Sequence, residues 1–255
     1  MAIITLTTDL GINDHYVAAI KGKLLSNLPE STIVDITHQI PSFDFIHAAR
    51  VLKNSFIHFP LGSIHIVSIT TDSDNIQYVA IEYKGHYFLG PDNGFFTVLI
   101  DETPSKIVII PPASENLSFS VFEILTKTAI KLLQSSINDI GTITEKLNEG
   151  QTQQPYLNGT TLIGQIAYID KFENVITNIN EVLFEKNRAG RKFQIDIRGY
   201  VINKIHSNYD QVVQGEIIAF FNFNKMLEIA LNKGKAKSLL FVKFGDNIAI
   251  EFYDN

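Results

Sequence analysis

The chain contains no cysteine, which excludes disulfide bonds, thiolate metal sites and cysteine nucleophiles. This absence suits a cytoplasmic protein, and we predict that location. No apolar run approaches the roughly 18 residues that a membrane-spanning helix needs. The opening MAIITLTTD has neither the basic start nor the long apolar stretch of a signal peptide. We therefore expect no membrane partner.

Basic residues are also scarce, since 21 Lys and Arg stand against 27 Asp and Glu and give a net charge of −6. Without a basic patch, a nucleic-acid partner is not expected. The 255 residues, 45% of them hydrophobic and 19% charged, have an ordinary globular composition. This length is enough for one large domain or two smaller ones.

The first part of the chain alternates between two hydrophobic periodicities. Strand-like runs lie at 2–7, 31–37, 63–69 and 106–110, and helical spacing covers 14–25, 43–56 and the segment after Ser120, which stands in capping-box spacing with Glu123. The run at 77–94 indicates a hairpin that turns at Lys84 and Gly85. Strands that alternate with helices predict an α/β domain with a largely parallel sheet, over residues 1–150.

The character of the sequence changes in a connector rich in Gly, Gln, Pro and Asn, which we assign as a linker at 151–159. Beyond it, helical periodicity is nearly absent. The strand-like runs are TLIGQIAYID, NVITNI, KFQIDI, EIIAFF, SLLFVKF and NIAIEFY. They predict a smaller all-β, barrel-like C-terminal domain at 160–255.

Polar residues cluster where the predicted strands of the first domain end. The clusters are Thr7, Thr8, Asp9 and Asp14; Asp35, Thr37 and His38; 70–74; and GPDNG at 90–94. Ligands of parallel sheets bind beyond the carboxyl ends of the strands. Each cluster also has a structural interpretation, because Asp14 can cap the following helix, with Asn13 as a competitor, and PDNG is a favourable turn.

Three functions fit these clusters. A divalent-metal hydrolase would draw oxygen and nitrogen ligands from Asp9, Asp14, Asp35, His38 and Asp92. A nucleoside site would use one carboxylate for a ribose diol and another for an ammonium group. In a non-catalytic module, the clusters would only stabilise loops.

Five segments, in order along the chain, carry a resemblance to a known family. They are TLTTDLGINDHYVAAIKG near the start, IVDITHQI at 33–40, GPDNG at 90–94, IDKFENVITNI at 169–179 and NFNKMLEIALNKGKA at 222–236. Together they resemble the S-adenosylmethionine (SAM) hydroxide adenosyltransferases, which are related to the fluorinase and chlorinase enzymes. The resemblance implies an α/β domain followed by a β-barrel, and a homotrimer. The ligand would lie between the N-terminal domain of one subunit and the C-terminal domain of the next.

The resemblance also implies a reaction and a set of binding residues. SAM, as substrate or ligand and without a cofactor or metal, would be attacked at the ribose 5′ carbon, so that methionine leaves; water as nucleophile gives adenosine. Asp9 would hold the ribose hydroxyls and Asp14 the methionine ammonium, with Tyr16 nearby. The residues implied for the rest of the ligand are Asp170 for the amino-acid end, Phe172 for a ligand contact, Asn174 for the adenine, and the backbone from Gly234 to Ala236 for the adenine edge.

The sequence departs from the family at the water-activating residues. Hydrolytic members use an Asp, an Arg and a His, but here Thr70 stands at the place of the Asp and is assigned to the substrate site. The segment 75–80, NIQYVA, has no basic residue, and Ser120 occupies the position expected for the His. A threonine hydroxyl cannot act as a general base near pH 7. The catalytic residues stay unassigned, and three hypotheses remain. The chain is a slow hydrolase that works by alignment of water and substrate, with Asp72 and Asp74 as candidate replacement bases; or it binds a nucleoside without cleaving it; or it is a metal-dependent hydrolase on a similar framework.

Overall fold

The computed structural model of the protein describes residues 2–69, 76–112, 121–150 and 153–254. Two compact units divide the chain, Met1–Thr152 and Gln153–Asn255. The described strands of the first unit are β1 (Ile3–Thr8), β2 (Thr32–Thr37), β3 (Ile64–Ser68), β4 (Tyr78–Tyr83), β5 (His86–Pro91), β6 (Lys106–Ile110) and β7 (Thr142–Thr144). Its described helices are α1 (Tyr16–Asn27), α2 (Phe45–Phe56), α3 (Phe95–Leu99) and α4 (Thr126–Leu132), the last preceded by a π-helical turn at Val121–Leu125.

The seven strands form one mixed sheet in the order β2-β1-β3-β5-β4-β6-β7. Strand β1 pairs in parallel with β2 and β3, and β3 pairs in parallel with β5. The pairs β4–β5, β4–β6 and β6–β7 are antiparallel. The prediction of a largely parallel sheet is therefore not confirmed. The reason is the hairpin, because its two-residue turn makes β4 run opposite to β5, and β6 then pairs with β4 and β7 with β6 in antiparallel fashion.

The hairpin itself forms where the sequence predicts it. Lys84 has φ 50° and Gly85 has φ 76°, and positive φ at both central residues is the signature of the type I′ turn that two-residue hairpins favour.

Helices cover both faces of this sheet. On one face, α1 and α4 pack Ile20, Leu24 and Leu132 against the β1 side chains Ile4 and Leu6. On the other face, the packing comes from α2 and α3 through Ala48, Ala49, Leu52, Phe56, Phe95 and Phe96. The two faces alternate along β1 as a strand with period two requires, and the first unit is a three-layer α/β domain.

The start of α4 is predicted only in part. Ser120, the proposed cap, lies outside the described residues. Glu123 instead forms ion pairs with Lys23 at 2.9 Å and Lys127 at 2.6 Å, so it ties this segment to α1.

The GPDNG segment is joined to the end of the first unit by hydrogen bonds between Asp92 and Asn148. Asp92 is buried, and its two carboxylate oxygens accept hydrogen bonds from the Asn148 backbone N–H at 2.9 and 3.1 Å. Asn148 Nδ2 donates in return to the Asp92 carbonyl at 2.6 Å. Burial raises the pKa of Asp92, opposed by the hydrogen bond from Asn148. Asp92 therefore holds a loop together here, and the structure does not place it beside the other residues considered as metal ligands.

The second unit is a curled β-sheet with the path β12-β11-β16-β9-β10-β15-β14-β13, and β8 pairs with β9. The strands are β8 (Tyr156–Asn158), β9 (Thr161–Ile169), β10 (Val175–Asn180), β11 (Lys192–Ile197), β12 (Tyr200–Ile202), β13 (Ile205–His206), β14 (Ile217–Phe221), β15 (Met226–Leu231) and β16 (Asn247–Tyr253). All pairs are antiparallel except β13–β14. This half-barrel agrees broadly with the predicted β domain.

Two short helices of this unit contradict the all-β prediction. They are α5 (Glu181–Arg188) and α6 (Ala236–Leu240). Asn180 caps α5 by accepting a hydrogen bond from Leu183 N at 2.8 Å, and Phe184 of α5 is fully buried. The cap was readable from the sequence, but eight residues are too few for a convincing helical period.

The predicted strand SLLFVKF is wrong. Its first half belongs to α6, which buries Ala236 and Leu240 on one side and ends at Phe241 in the left-handed conformation. An apolar run this short is ambiguous between a strand and a helix segment, and only packing separates the two.

No helix among the described residues is long and apolar enough to cross a membrane. The predicted linker at 151–159 and the domain boundaries beside it stay predictions.

Candidate functional site

The loop after β1 is held by the ends of both neighbouring strands. Asp9 N donates to the Ser68 carbonyl at the end of β3, at 3.3 Å. Gly11 N donates to the His38 carbonyl just beyond β2, at 2.7 Å. Gly11 has φ 69°, a left-handed backbone that glycine adopts without strain. The structure thus brings two of the polar clusters considered from the sequence, those after β1 and β2, to one edge of the sheet, where the parallel strand β3 also ends. The cluster at 70–74 lies outside the described residues.

Asp9 occupies the centre of this edge. Its Oδ2 accepts a hydrogen bond from the backbone N–H of Phe43 at 3.4 Å. Phe43 has φ 68° and a side chain that is 50% exposed. A non-glycine residue in this conformation is uncommon and is found at ligand sites more often than elsewhere. Sequence reasoning missed Phe43, because nothing in its hydrophobic spacing separates it from the helix that follows.

A chain of polar contacts supports the Asp9 loop from behind. Thr8 Oγ1 lies 2.8 Å from His38 Nδ1 and also accepts a hydrogen bond from Leu10 N at 3.3 Å. His38 Nε2 lies 3.1 Å from Asp35 Oδ1, and Lys21 Nζ donates to Asp35 Oδ2 at 2.6 Å.

The electrostatics of this chain favour an ionised Asp35. Partial burial acts to raise its pKa, but the contacts with Lys21 and His38 outweigh burial and lower it. Thr8 and His38 are buried, so their direct role is to hold the loop rather than to touch a ligand. This agrees with the structural interpretation of His38.

Asp14 and Tyr16 lie just beyond this loop, and both are exposed. The helix begins at Tyr16, two residues later than predicted, and its N-cap residue is His15, with no side-chain cap hydrogen bond. The predicted capping by Asp14 or Asn13 is therefore wrong. The Asp14 carboxylate accepts no hydrogen bond from the residues that the structure describes, which leaves it available to a ligand. The rings of His15 and Tyr16 lie 4.5 Å apart between centroids.

The metal alternative finds no support in the described ranges. Residues 2–69, 76–112, 121–150 and 153–254 contain no group of three or more His, Asp or Glu side chains that could hold a metal ion. Asp35 and His38 lie together, whereas Asp92 is bonded to Asn148.

In the second unit, Asp170 organises a tight turn after β9. Its Oδ1 accepts hydrogen bonds from the backbone N–H groups of Phe172 at 2.9 Å and Asn174 at 2.8 Å. Its Oδ2 accepts from Asn174 Nδ2 at 3.1 Å. The turn leaves the Phe172 side chain 65% exposed and the Asn174 side chain buried. Asp170 therefore has a structural role that sequence reasoning did not assign to it.

Glu173 fastens this turn to the start of α6. Its carboxylate accepts hydrogen bonds from Ser238 N at 3.2 Å and Ser238 Oγ at 2.5 Å, and it pairs with Lys235 Nζ at 3.0 Å. Its carbonyl accepts from Lys237 N at 2.9 Å. These contacts lower the pKa of Glu173, the hydrogen bond from Ser238 most strongly. They bring the predicted residue Ala236 to the same region as Asp170, Phe172 and Asn174.

Glu173 has φ 65°, a strained conformation that its side-chain contacts must stabilise. We expect Glu173→Ala to make the amides of 235–238 exchange with solvent several-fold faster, because the segment loses both Ser238 bonds. Hydrogen–deuterium exchange measures this. Glu185→Ala, which removes an exposed ion pair with Arg188, is the matched control and should leave these amides unchanged. Equal exchange rates of the 235–238 amides in the wild type and Glu173→Ala would show that Glu173 does not hold this segment.

Four residues stand at or near the positions of the family's water-activating groups. Thr70, Asp72, Asp74 and Ser120 all lie outside the described residues.

Known protein families match this chain in two parts, one in each compact unit. Family models for the SAM hydroxide adenosyltransferase N-terminal and C-terminal domains match residues 4–141 and 164–249. The (R)-S-adenosyl-L-methionine hydrolase of Methanocaldococcus jannaschii is 29% identical, over 97% of this chain and 95% of the relative. A fluorinase of an Actinoplanes species is 26% identical over 77% of each chain.

A solved structure has the same fold as this chain over nearly its whole length. The crystal structure of an uncharacterized conserved protein from Thermotoga maritima has a TM-score of 0.88 with this chain at 25% identity, and the match covers 98% of this chain and 99% of that one. The matched ranges contain the Asp9 loop in the first unit and the Asp170 turn in the second. The chain therefore belongs to the SAM hydroxide adenosyltransferase family.

Proposed function

We propose that the protein binds SAM through the Asp9 loop and the Asp170 turn and transfers its adenosyl group to water. The oxygen of water attacks the ribose 5′ carbon, and the bond from that carbon to the sulfonium breaks. The bonding electron pair stays on sulfur, so methionine leaves as a neutral thioether, and water loses a proton as adenosine forms.

One observation carries the proposal most directly. Asp9 lies where three strands end. Its backbone N–H donates to the Ser68 carbonyl, and its carboxylate accepts from the backbone N–H of Phe43. A carboxylate in such a place can accept two hydrogen bonds from a ribose diol. The side chain of Phe43 is half exposed. The names of the curated relatives, hydrolase and fluorinase, supply the reaction class.

The remaining roles are those that the family resemblance implies. We assign the methionine end to Asp14, Tyr16 and Asp170, and the adenine to Phe172, Asn174 and Ala236, with Thr70 near the reacting carbon. As in the family, the site would form between subunits of a homotrimer.

The departures at Thr70, 75–80 and Ser120 support a second function. Lost proton-transfer assistance typically costs about 10²–10⁴ in rate. The sulfonium is a good leaving group, so alignment of water and substrate could sustain slow turnover. If it does not, the protein binds SAM or adenosine without cleaving it.

The deciding experiment incubates the purified protein with SAM and quantifies adenosine and methionine against a heat-inactivated control. Equal, protein-dependent release of both establishes hydrolysis. Thermal stabilisation by adenosine without any release supports the binding function. A stabilisation that a chelator abolishes contradicts both and favours the metal-dependent alternative.

Replacement of Asp9 tests the site itself. We expect Asp9→Ala to weaken adenosine binding by about 10- to 100-fold, since a hydrogen bond to a charged group contributes about 1.5–3 kcal/mol. Titration calorimetry measures the affinity, and circular dichroism checks that the fold is intact. Asp44→Ala, which removes the cap of α2, controls for a general loss of stability in the same unit. An unchanged affinity in Asp9→Ala would refute the role of Asp9.

A further inference from the structure

The buried hydroxyl of Thr8 determines which ring nitrogen of His38 carries a proton. Thr8 is fully buried. Its Oγ1 lies 2.8 Å from His38 Nδ1 and 3.3 Å from the backbone N of Leu10, and no other residue in the described ranges forms a hydrogen bond with it. The Leu10 N–H can only donate, so Nδ1 is the one acceptor for the hydroxyl hydrogen. Since a buried donor without an acceptor is costly, Nδ1 carries a lone pair.

The proton of the neutral His38 ring is therefore on Nε2, which faces Asp35. Nε2 is buried, and Asp35 Oδ1 lies 3.1 Å from it, although the two are not aligned as in an ideal hydrogen bond. A lone pair on Nε2 would face the lone pairs of a carboxylate oxygen at this distance, and the two would repel each other. Thr8 and Asp35 thus favour the same tautomer of the ring between them.

Lys21 determines how a side chain at position 35 must face. Lys21 Nζ donates to Asp35 Oδ2 at 2.6 Å, while Oδ1 is the oxygen beside His38. Burial acts to raise the pKa of Asp35, but the contacts with Lys21 and His38 outweigh burial and lower it. The carboxylate is therefore ionised at neutral pH and can only accept. An ammonium group can only donate, so the atom that contacts Lys21 must be an acceptor.

The loop on both sides of Asp9 is attached to His38. The Thr8 hydroxyl joins the ring to the Leu10 N–H, and Gly11 N donates to the His38 carbonyl at 2.7 Å. In the other tautomer Nδ1 would be a donor, and the hydroxyl hydrogen of Thr8 would have no acceptor among these contacts. The hydroxyl would have to turn away from one of its partners, and the loop would lose a hydrogen bond that holds it.

Resting on the proposed function, we infer that Asp35 is a positioning residue that selects the Nε2–H tautomer of His38 and so orients the loop that carries Asp9. Asp35 acts on the ligand only through His38 and Thr8. A ribose diol needs the Asp9 carboxylate in one orientation, because two parallel hydrogen bonds to one carboxylate impose a fixed geometry. The charge at position 35 therefore sets how tightly the protein holds a nucleoside.

Asp35→Asn tests this inference with almost no change of shape. Lys21 takes the amide oxygen, so the amide NH₂ group faces His38 Nε2, and a donor there favours the Nδ1–H tautomer. ¹⁵N NMR of the imidazole ring, recorded without any ligand, distinguishes the two tautomers. The wild type should have its proton on Nε2, and Asp35→Asn should shift the proton toward Nδ1. Unchanged ring signals in Asp35→Asn overturn the positioning role whatever the protein binds.

Lys21→Met, added to Asp35→Asn, should reverse the change. Without the ammonium group, the amide is able to turn its oxygen toward His38, and the Nε2–H tautomer should return. A ring that stays in the Nδ1–H form in this double variant contradicts the inference. Asp101→Asn is the matched control, because it neutralises another Lys–Asp pair of the same unit, in which Lys53 is as exposed as Lys21, at 33%. It should leave the His38 ring unchanged.

Titration calorimetry with adenosine measures the effect on the site. Asp35→Asn should weaken binding by about 2- to 10-fold, the range expected for one hydrogen bond. The added Lys21→Met should recover most of the affinity, and Asp101→Asn should bind as the wild type does. A merely structural ion pair would lower the melting temperature in Asp35→Asn without changing affinity, so wild-type affinity in this variant overturns the inference.

The two measurements separate this inference from the proposed function. If the wild type binds adenosine but the His38 tautomer does not respond to Asp35→Asn, the proposed function stands and the inference alone is overturned. If the tautomer responds as expected but the wild type binds neither adenosine nor SAM, the proposed function fails, and the positioning of Asp9 for a nucleoside fails with it.

Discussion

Gly94→Ala is expected to lower the free energy of unfolding by about 4 kcal/mol, and the melting temperature by roughly 8–16 °C. Gly94 has φ 94°, which strains any residue with a side chain. A Cβ atom there would lie 2.7 Å from Gly150 Cα, a backbone atom that cannot rotate away. The strain of the positive φ and the steric clash with Gly150 both lower the unfolding free energy. They add because the first is local to residue 94 and the second lies between two segments of the chain.

The segment that contains Gly150 cannot move away from Gly94, because two of its residues are held by hydrogen bonds. Gly150 N donates to Thr97 Oγ1 at 2.7 Å, and Asn148 is bonded to Asp92. Gly62→Ala is the matched control: Gly62 has φ 83°, and its added Cβ would meet nothing within 4 Å. It should cost only about 1.5 kcal/mol from conformational strain. Thermal and denaturant unfolding measure the stability of the two variants. An equal loss of unfolding free energy in both would show that the contact of the added Cβ with the Gly150 backbone costs nothing.

Acidification from pH 6.5 to pH 4.5 is expected to remove about 2 kcal/mol of unfolding free energy through His65 alone. Burial, together with the neighbouring His86, lowers the pKa of His65 to about 3. The unfolded chain takes up a proton on this residue below about pH 6.5, whereas the folded chain does not until about pH 3. The unfolded state therefore binds more protons in this window, and stability falls as the pH falls.

The structure leaves no easy way to accommodate a charged His65. Its Nδ1 lies 2.7 Å from Thr5 Oγ1 and its Nε2 lies 3.2 Å from His86 Nδ1. The rings of Phe56, Phe59 and Phe88 surround it. No carboxylate is among these neighbours to stabilise an imidazolium.

Denaturant unfolding at several pH values tests this prediction. His65→Gln should reduce the slope of stability against pH between 6.5 and 4.5 by about one proton, or 1.4 kcal/mol per pH unit. His58→Gln, at an exposed position, is the control for the loss of one imidazole. Titration of the His65 ring by NMR gives an independent check, and a midpoint above pH 5 in the folded protein would contradict the assignment.

Local patterns in the sequence predicted most of the elements but not how the strands pair. The helical spacing of Ala48, Ala49, Leu52 and Phe56 identified α2, and the strand at 106–110 has the predicted bounds. The hairpin at Lys84 and Gly85 was also correct. The direction of β6 was not predictable, because it depends on which strand it lies beside, and β6 pairs with β4 rather than with a parallel neighbour.

The candidate site was predicted unevenly for a similar reason. The polar residues that follow β1 and β2 do meet at one edge, beside the end of β3, as the rule for parallel strands requires. Phe43 and Glu173 were missed. Each matters through a contact with a residue distant in the sequence or through an unusual backbone angle, and neither leaves a periodic signal.

The sequence by itself determined the family, the order of the elements and the residues that bear charge at the proposed site, because motifs and hydrophobic spacing are properties of neighbouring residues. Only the tertiary structure decided that the N-terminal sheet is mixed, that Asp92 holds a loop and that Asp170 accepts the hydrogen bonds of the turn after β9. These depend on the partner that each group meets across the fold. The free energy of a buried hydrogen bond belongs to the pair of groups, so one residue in the sequence cannot reveal it.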